Sequence, residues 1–579
     1  MEEIKEMDSL KDIINIKCDK FASRTAFLEK DGIHKEFQKI TYAKLKEDVN
    51  AMGTVMLKNL DLKDKKVAVI GENSYKWFVT YMAVTCGVGT IVPLDKELPQ
   101  NEILNLLKRS ESSAIVYSSR RKDLVEGIKE QLPKDMLFIE MGKQETDGIS
   151  FSYNKLIAQG MELVDTGVTE YIDTKIDREE FRILLFTSGT TAAAKGAMLN
   201  HKNICANTVA CITLLPGMGD YTTLSVLPMH HTYEFSLTFI YCLTTGGTVG
   251  ICEGLKYVSK NIQEVKPDCL FVVPALIEKV YQKIEKGIKD SGKEVLINTM
   301  KGITTGLSKI GINIKRKVFK EIYTKLGGNL KYIFCGAAPI DRDIVKKLEG
   351  LGLVFMQGYG LTETSPLVSV TPENDRVAGS VGKAVNGVEI RIDLSGNEDE
   401  NSNVGEIMVK GENVFMGYYK MQEETKKSLK KGWFYTGDLG YFDIRGNLII
   451  SGRNKNVIVT SNGKNIFPEE IENMINRIPM VSESMVYGML DDKNKQDLIV
   501  AAKVTLNEEY IEEVYLSNRP KDKEIYDIIW AEIKKINKSM VPYKAVKKLE
   551  VKKDDFIKTT TMKIKRFEEL KKDKMNIDK

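Results

Sequence analysis

The sequence predicts an α/β protein in which a large N-terminal domain is followed by a small α+β C-terminal domain. Short apolar runs alternate with helical segments between residues 67 and 140, which is typical of a parallel sheet covered by helices. From Gly379 the chain instead holds short strands separated by Gly and Asn-Gly turns, which indicate a small β-rich module. Two helices and two further strands are then predicted within residues 468–537.

Composition places the chain among ordinary globular proteins. It has 579 residues, a net charge of +4, 42% hydrophobic residues and 29% charged residues. Its eight cysteines form no CxxC pair, which favours unpaired thiols in a reducing cytoplasm over disulfides or a zinc site. No signal peptide and no run of about 18 uncharged apolar residues is present, so no membrane span is expected. No basic motif or aromatic platform supports a nucleic-acid partner.

The elements of the first half follow from apolar runs and their boundaries. Residues 10–60 are predicted as helices around a short hairpin-like stretch. The predicted strands before residue 150 are Val67–Ile70, Gly87–Leu94, Ala114–Tyr117 and Leu137–Glu140. A helix carrying Trp77 and Tyr81 connects the first two of them.

A loop of small hydroxylated residues follows the next predicted strand, Ile183–Phe186. It consists of Thr187, Ser188, Gly189, Thr190 and Thr191. Such a loop can direct its N–H groups and hydroxyls toward one point, and its glycine permits close approach of the main chain. Lys195 adds a positive charge, so the segment predicts a polyanion site, such as one for a triphosphate. A Thr-rich surface turn is the alternative, and the loop is not a Walker A sequence.

Two adjacent histidines follow a predicted strand at Leu224–Pro228. Neighbouring side chains at a strand end face opposite ways, so at most one of His230 and His231 is expected to serve a given site. Further on, the apolar strand beginning at Tyr332 ends in small residues, against which a flat ring can lie. These residues are Gly336, Ala337 and Ala338.

The strand Val354–Tyr359 opens the segment Gln357-Gly358-Tyr359-Gly360-Leu361-Thr362-Glu363-Thr364. Tyr359 can stack on a purine and Thr362 can donate to a phosphate. Glu363 is a hard oxygen ligand suited to Mg²⁺.

TSGTT followed by Lys-Gly, together with GYGLTET, resembles the motifs of the adenylate-forming enzymes. This superfamily includes acyl-CoA synthetases, firefly luciferase and peptide-synthetase adenylation domains. The resemblance covers roughly residues 10 to 570, with the motifs in family order. It departs from the usual pattern at Ala192, Ala194 and Met562, where the family has Gly, Pro and Gly.

The resemblance implies an architecture and a set of site residues. An N-terminal domain of αβαβα layers with a distorted β-barrel is expected over residues 1–452, and a mobile lid over 453–579. The implied catalytic residues are Lys563, His231, Thr362, Glu363 and Lys195. The implied ATP-binding residues are Thr187, Ser188, Gly189, Thr190, Thr191, Gly336, Ala337, Ala338, Gln357, Gly358, Tyr359, Gly360, Thr362, Asp438, Arg453 and Lys563. Glu363 and Thr187 would bind Mg²⁺, and His231 and Phe235 would bind the acid. Lys455 would be the hinge residue between the two domains.

The implied reaction is ATP-dependent conversion of a carboxylic acid to an acyl-adenylate, followed by transfer to coenzyme A. A medium- to long-chain fatty acid is favoured, since LPMHHTYEF and the helices of 276–330 resemble the long-chain branch. The alternatives are a ligase that uses a carrier protein, a fatty acyl-AMP ligase, and a non-catalytic nucleotide- or acyl-binding protein. The Lys-rich helices of 276–330 either cover the sheet or form a surface for a membrane or an acidic partner.

Overall fold

The computed structural model describes residues 7–30, 32, 34–146, 150–187, 194–214, 220–292, 294–309, 312, 314–395, 403–459, 465–490, 498–516, 518–558 and 564–577. The chain divides into two units. The first comprises Met1–Ala378, Gly382–Glu389 and Lys410–Gly432, and the second comprises Gly379–Val381, Ile390–Val409 and Trp433–Lys579. Among the described residues, no helix is both long and apolar enough to cross a lipid bilayer.

Two mixed sheets form the first unit. The strands of the larger are, in sheet order, Lys383–Ala384, Leu367–Val370, Val354–Gly360, Tyr332–Cys335, Cys269–Val272, Thr222–Ser225, Thr248–Ile251, Thr25–Glu29 and Gln38–Thr41. Those of the other are Gly417–Tyr418, Lys195–Leu199, Ile183–Thr187, Thr90–Leu94, Lys66–Ile70, Ala114–Tyr117, Leu137–Glu140 and Phe151–Ser152. The central pairs are parallel, as the alternation of strands and helices predicts.

The loop from 188 to 193 joins two neighbouring strands. Ile183–Thr187 pairs antiparallel with Lys195–Leu199, and Thr187 lies opposite Lys195. The predicted strand at Ile183–Phe186 is therefore confirmed. Ile183, Leu184 and Leu185 are buried because the strand lies inside the sheet, and Phe186 is partly buried. This stem places Thr187 and Lys195 at the same end of the sheet.

Parallel pairing in the larger sheet brings two of the predicted motifs together. Cys335 lies opposite Gln357 on the adjacent parallel strand. Because parallel strands end at the same edge, the residues after Cys335 lie beside the end of the strand Val354–Gly360.

Helices cover these sheets with faces whose apolar residues recur at helical spacing. In Pro274–Asp290, for example, Ile277, Tyr281, Ile284 and Ile288 are buried, as their spacing predicts. The other α-helices of this unit are Cys18–Lys20, Tyr42–Lys58, Tyr75–Ala83, Gln100–Ser110, Lys122–Glu126, Tyr153–Asp165, Glu170–Asp173, His201–Leu214, Cys242–Thr244, Val258–Val265, Glu294–Lys309, Lys315–Val318, Lys320–Lys325, Arg342–Gly350 and Gln422–Ser428. Segments at Ile13–Lys17, Val84–Val88 and Tyr233–Tyr241 are π-helical.

The second unit contains short strands followed by an α+β module. Its strands, some of which extend into the first unit, are Val388–Asp393, Gly405–Gly411, Trp433–Phe442, Leu448–Arg453, Ile458–Val459, Asn465–Ile466, Val481–Leu490, Leu498–Leu506 and Val546–Lys552. Its α-helices are Pro468–Ile475, Glu508–Tyr515, Asp522–Lys538 and Arg566–Ile577. The last three strands form one sheet, whose core is mainly isoleucine and valine. The β-rich segment after Gly379 and the later α+β elements are thus confirmed.

Two strand predictions need correction, and one prediction about thiols is confirmed. The strand expected at Gly87–Leu94 begins only at Thr90, because Val84–Val88 continues the preceding helix. The strand expected at Leu224–Pro228 ends at Ser225, which moves the two histidines off a strand end. All eight cysteines are free thiols, and all except Cys252 are buried.

Candidate active site

Hydrogen bonds hold the loop stem, which is the paired ends of the strands Ile183–Thr187 and Lys195–Leu199 beside the predicted phosphate loop. The Thr187 hydroxyl donates to the Lys195 carbonyl over 3.3 Å. Just before Lys195, the Ala194 carbonyl accepts a hydrogen bond of 2.8 Å from Arg109. Ser188, Gly189, Thr190, Thr191 and Ala192 lie outside the described residues. The structure thus fixes where the loop begins and ends.

One tyrosine, Tyr418, contacts both Lys195 beside the predicted loop and Glu363, the predicted metal ligand. Lys195 Nζ lies 2.5 Å from Glu424 Oε2 and 5.0 Å from the ring centroid of Tyr418. The Tyr418 hydroxyl donates to Glu363 Oε1 over 2.9 Å. We call Lys195, Tyr418, Glu363 and Glu424 the Tyr418 network. It joins two residues predicted from separate motifs through a tyrosine that the sequence analysis did not single out.

Local structure explains how the Tyr418 network forms. Gly417–Tyr418 pairs antiparallel with the strand Lys195–Leu199, which brings the tyrosine ring to the lysine. Glu424 follows on the short helix Gln422–Ser428. Lys195, together with Lys427, lowers the pKa of Glu424 to about 2. This pair therefore stays ionised at neutral pH.

Electrostatics keep Tyr418 protonated as a hydrogen-bond donor. Burial raises the pKa of its hydroxyl, and the neighbouring Glu363 carboxylate raises that pKa further. A neutral phenol can hold a carboxylate in place without cancelling the charge that a metal ion would use. The backbone around Glu363 is also fixed, since its carbonyl accepts from the Phe415 N–H over 2.9 Å.

The oxygen donors at this place suit magnesium that arrives with a nucleotide. Mg²⁺ usually keeps several waters and takes only one or two protein carboxylates beside substrate phosphates. No cluster of three or more His, Cys, Asp or Glu side chains occurs in the described part of the chain, so a site built wholly from protein is not indicated there. Glu363 could be the single protein carboxylate of such a magnesium site, and Thr187 lies opposite Lys195 on the paired strands that flank the loop.

Small residues line the edge where an adenine is predicted. Gly336 donates to the Val272 carbonyl over 3.2 Å, and Ala337 adopts a positive φ of 71°. At Gly360 a β-carbon would lie 1.8 Å from the Pro366 carbonyl oxygen, so any larger residue would clash with the backbone. The segments Gly336–Ala338 and Gln357–Gly360 are thus neighbours at one sheet edge.

The histidine pair lies in a turn, which corrects the prediction that the two rings face opposite ways. Their ring centroids are 4.0 Å apart. Burial lowers the pKa of His230 to about 3, so this ring is neutral and its 3.7 Å approach to Asp95 is not an ion pair at neutral pH. His231 is half-buried, and its carbonyl accepts from the Phe235 N–H over 3.0 Å.

Phe235 belongs to an aromatic cluster in the core. It is 2% exposed, and its ring centroid lies 3.8 Å from that of Tyr81 and 5.8 Å from that of Phe78. The nearby Glu234 is fully buried, and burial raises its pKa to about 8. This carboxyl accepts from the Thr238 hydroxyl over 2.9 Å, and it is an acid that sequence reasoning missed.

In the second unit, two predicted nucleotide-binding residues form an ion pair. Arg453 Nε lies 2.8 Å from Asp438 Oδ1, because the two residues are opposite each other on antiparallel strands. Asp438 is 4% exposed, and its N–H donates to the Thr436 hydroxyl over 3.1 Å. Lys455 is exposed on the turn that follows.

The terminal motif is anchored at both ends in the second unit. Lys563 and Met562 lie outside the described residues. Lys558 and Ile564 form an antiparallel bridge, so the segment between them leaves and returns at one place. Arg566 then donates to both Glu472 oxygens over 2.6 and 2.5 Å. These contacts fix the described residues on either side of the terminal motif.

Comparison with protein families assigns both parts of the chain. Residues 15–419 match the model of the AMP-binding enzyme family, and residues 455–579 match the model of the AMP-binding enzyme C-terminal domain.

Similar curated proteins include two ligases with different acceptors. Long-chain-fatty-acid–CoA ligase 5 of Rattus norvegicus is 28% identical over 476 residues, covering 78% of this chain and 69% of that protein. The chloroplastic long-chain-fatty-acid–[acyl-carrier-protein] ligase AEE15 of Arabidopsis thaliana is 27% identical over 555 residues, covering 83% and 75%.

Solved structures share the fold. The anthranilate CoA ligase AuaEII, in complex with anthranoyl-AMP, aligns with a TM-score of 0.78 at 18% identity, over 99% of this chain and 98% of that one. ATP-bound MatB from Rhodopseudomonas palustris aligns with a TM-score of 0.76 at 23% identity, over 99% and 100%.

Proposed function

The chain belongs to the AMP-binding enzyme family, and on this premise we propose that it activates a fatty acid and transfers it to coenzyme A. ATP and the acid would form an acyl-adenylate and pyrophosphate, and the thiol of coenzyme A would then displace AMP. The observation that carries the proposal is the Tyr418 network, in which Lys195 and Glu363, the residue predicted to bind magnesium, contact one tyrosine.

This chemistry needs charge neutralisation and alignment. A carboxylate is a poor acyl donor, because its leaving group would be oxide, and adenylation supplies a better one. The attacking carboxylate and the triphosphate are both anionic, so a site must offset their charges and hold them in line. Magnesium would supply part of the positive charge at the phosphates. Glu363 would hold this ion with help from Thr187, and Lys195 would add a second positive charge near the loop.

Other predicted residues would position the nucleotide and the acid. Adenine would lie against the edge formed by Gly336–Ala338 and Gln357–Gly360. Asp438 would accept from the ribose hydroxyls, since a carboxylate that is paired with Arg453 still has free lone-pair sites. His231 would orient the acid carboxylate, with Thr362 donating to a phosphate.

A movable lid completes the proposed cycle. We place the boundary between residues 452 and 453, with Lys455 as the hinge residue. Lys563 would bridge the acid carboxylate and the α-phosphate during adenylation. A swing of the lid would then withdraw Lys563 and admit the thiol. The contacts on either side of the terminal motif support this role, because they tie Lys558, Ile564 and Arg566 to the second unit and the motif would then move with that unit.

The names of the relatives support a fatty acid and leave two acceptors open. The ligase 5 relative favours coenzyme A, and the AEE15 relative favours a carrier protein as the second candidate. One protein of similar fold, AuaEII, is a ligase for anthranilate, which is an aryl acid. A cytoplasmic location remains a prediction.

The test is a panel of carboxylic acids of increasing chain length, with aryl acids included, incubated with ATP and Mg²⁺. Pyrophosphate and AMP are measured without an acceptor, with coenzyme A and with holo carrier protein. Turnover that depends on coenzyme A and peaks with one fatty acid supports the proposal. Turnover only with carrier protein selects the second candidate, whereas a preference for aryl acids refutes the fatty-acid assignment. Nucleotide binding without pyrophosphate release with any acid would indicate a non-catalytic protein.

A further inference from the structure

The outward face of the helix Glu294–Lys309 is partly apolar, and Glu294 in the first turn is the exposed charged residue among its described side chains. Val295, Leu296 and Ile303 are 81%, 58% and 52% exposed. The exposed residues around and between them are Asn298, Thr299, Gly302, Thr305 and Gly306. A surface helix normally turns charged residues to water, so this composition needs an explanation. We call Val295, Leu296, Ile303 and these five residues the apolar face.

The helix already has a separate inner side. Ile297 and Met300 pack against the core cluster of the first unit, and Thr304 is fully buried. Lys301 is half-buried, and burial lowers its pKa. Its side chain runs toward the neighbouring helix at Gly350 and not along the outward face. The residues of the apolar face are therefore not needed for packing this helix against its unit.

Further exposed apolar residues follow the helix. Ile312 is 48% exposed and Ile314 is 36% exposed. The Ile312 N–H donates to the Leu307 carbonyl over 3.0 Å, which folds the chain back at the helix end. These residues extend the exposed apolar surface beyond the last turn.

The surrounding segment is strongly cationic. Residues 274–330 contain eleven lysines and one arginine against five carboxylates, a net charge of +7. The whole chain carries only +4, so the remainder is net negative. Lys317 and Lys320 are exposed on the two short helices after Ile314. Exposed apolar side chains beside a cationic segment provide the two attractions that bind a protein surface to an anionic bilayer, namely burial of apolar area and contact of lysines with the headgroups.

We propose that the apolar face docks on an anionic lipid bilayer. Val295, Leu296 and Ile303 would enter the interface, and the neighbouring lysines would contact the headgroups. Charge argues against a second copy of this chain on the same surface, because a two-fold contact would oppose two segments of +7 each. The inference does not depend on which acid is activated, since docking requires no substrate.

The experiment is sedimentation of the full chain with phosphatidylcholine vesicles, with and without phosphatidylglycerol. The double variant Val295→Glu, Ile303→Glu tests insertion. Lys317→Gln with Lys320→Gln tests attraction to the headgroups, and removal of two cations should weaken binding by about 30-fold. The matched control is Ile444→Glu, because Ile444 is an apolar residue of the second unit that is 104% exposed. The thermal midpoint of each variant checks its fold.

The expected result is binding that needs phosphatidylglycerol, falls with salt, is lost in the double glutamate variant and persists in Ile444→Glu. Absence of wild-type binding to the anionic vesicles would overturn the proposal. Equal loss in the Ile444→Glu control would also overturn it. If the wild type self-associates and the double glutamate variant is monomeric without any effect of vesicles, the surface is instead a contact between copies. Capture of an acidic protein without vesicle binding would likewise count against the bilayer.

Discussion

Replacing Tyr418 by phenylalanine tests whether the Tyr418 network positions Glu363, the carboxylate that we propose binds magnesium. The change deletes the hydrogen bond of 2.9 Å to Glu363 Oε1 and keeps the ring that lies 5.0 Å from Lys195 Nζ. A hydrogen bond to a charged group contributes about 1.5–3 kcal/mol. We take the lower value because Glu363 is half-buried, which corresponds to a loss of about tenfold in rate.

Pyrophosphate release is measured at saturating ATP and acid while Mg²⁺ is varied. A displaced Glu363 should raise the Mg²⁺ concentration needed for half-maximal rate, and the maximal rate should fall about tenfold. Tyr419→Phe is the matched control, because its hydroxyl contacts the exposed Glu111 over 3.1 Å. Wild-type rate and wild-type Mg²⁺ dependence in Tyr418→Phe would refute the positioning role. Equal losses in both variants would show that the effect is not specific to Glu363.

Three further predictions follow from the site. Lys563→Ala should reduce adenylate formation at least about 100-fold, since the charge that we propose aligns both reactants is lost. Lys565→Ala is the control and should retain most activity in the same pyrophosphate assay. Glu424→Gln removes the carboxylate 2.5 Å from Lys195 Nζ, so Lys195 should attract ATP more strongly and the KM for ATP should fall several-fold. Glu423→Gln is the control and should leave this KM unchanged. An unaltered KM in Glu424→Gln would show that the ion pair does not compete with ATP. Gly360→Ala should lower the thermal midpoint by several degrees or prevent folding, because the added β-carbon would lie 1.8 Å from the Pro366 carbonyl oxygen. A midpoint equal to that of the wild type would contradict this geometry.

Much of the fold could be predicted because the signals are local. The run Val67–Ile70 is apolar, short and bounded by polar residues, and the observed strand, Lys66–Ile70, differs by one residue. The prediction that the two histidines lie at a strand end with opposed rings was wrong for a physical reason. Apolar Val226 and Leu227 continue the pattern of a strand, but sheet pairing ends at Ser225. Apolar character alone does not determine where hydrogen bonding to a neighbouring strand stops.

The Tyr418 network could not be predicted, because its contacts join distant parts of the chain. Lys195 and Glu424 are 229 residues apart, and no spacing rule connects them. The segment MGYYKMQEET holds both new residues, but a tyrosine after a glycine and a glutamate in a short helix are common in strands and on surfaces. Only the antiparallel pairing of Gly417–Tyr418 with Lys195–Leu199 gives them a shared location.

The described ion pairs also indicate how the site remains folded before a nucleotide binds. Lys195 is offset by Glu424, and Asp438 by Arg453, so the groups that would meet ATP each hold an opposite charge within their own unit. An unpaired and partly buried charge would destabilise the folded state. Binding of a polyanion must then displace Glu424 from Lys195 or add to the pair. Because Lys195 and Lys427 lower the pKa of Glu424 to about 2, mild acidification leaves this ion pair in place. If Glu424 is displaced, the negative charge of the ligand competes with it for Lys195, so the KM for ATP is the quantity that reports on this pair.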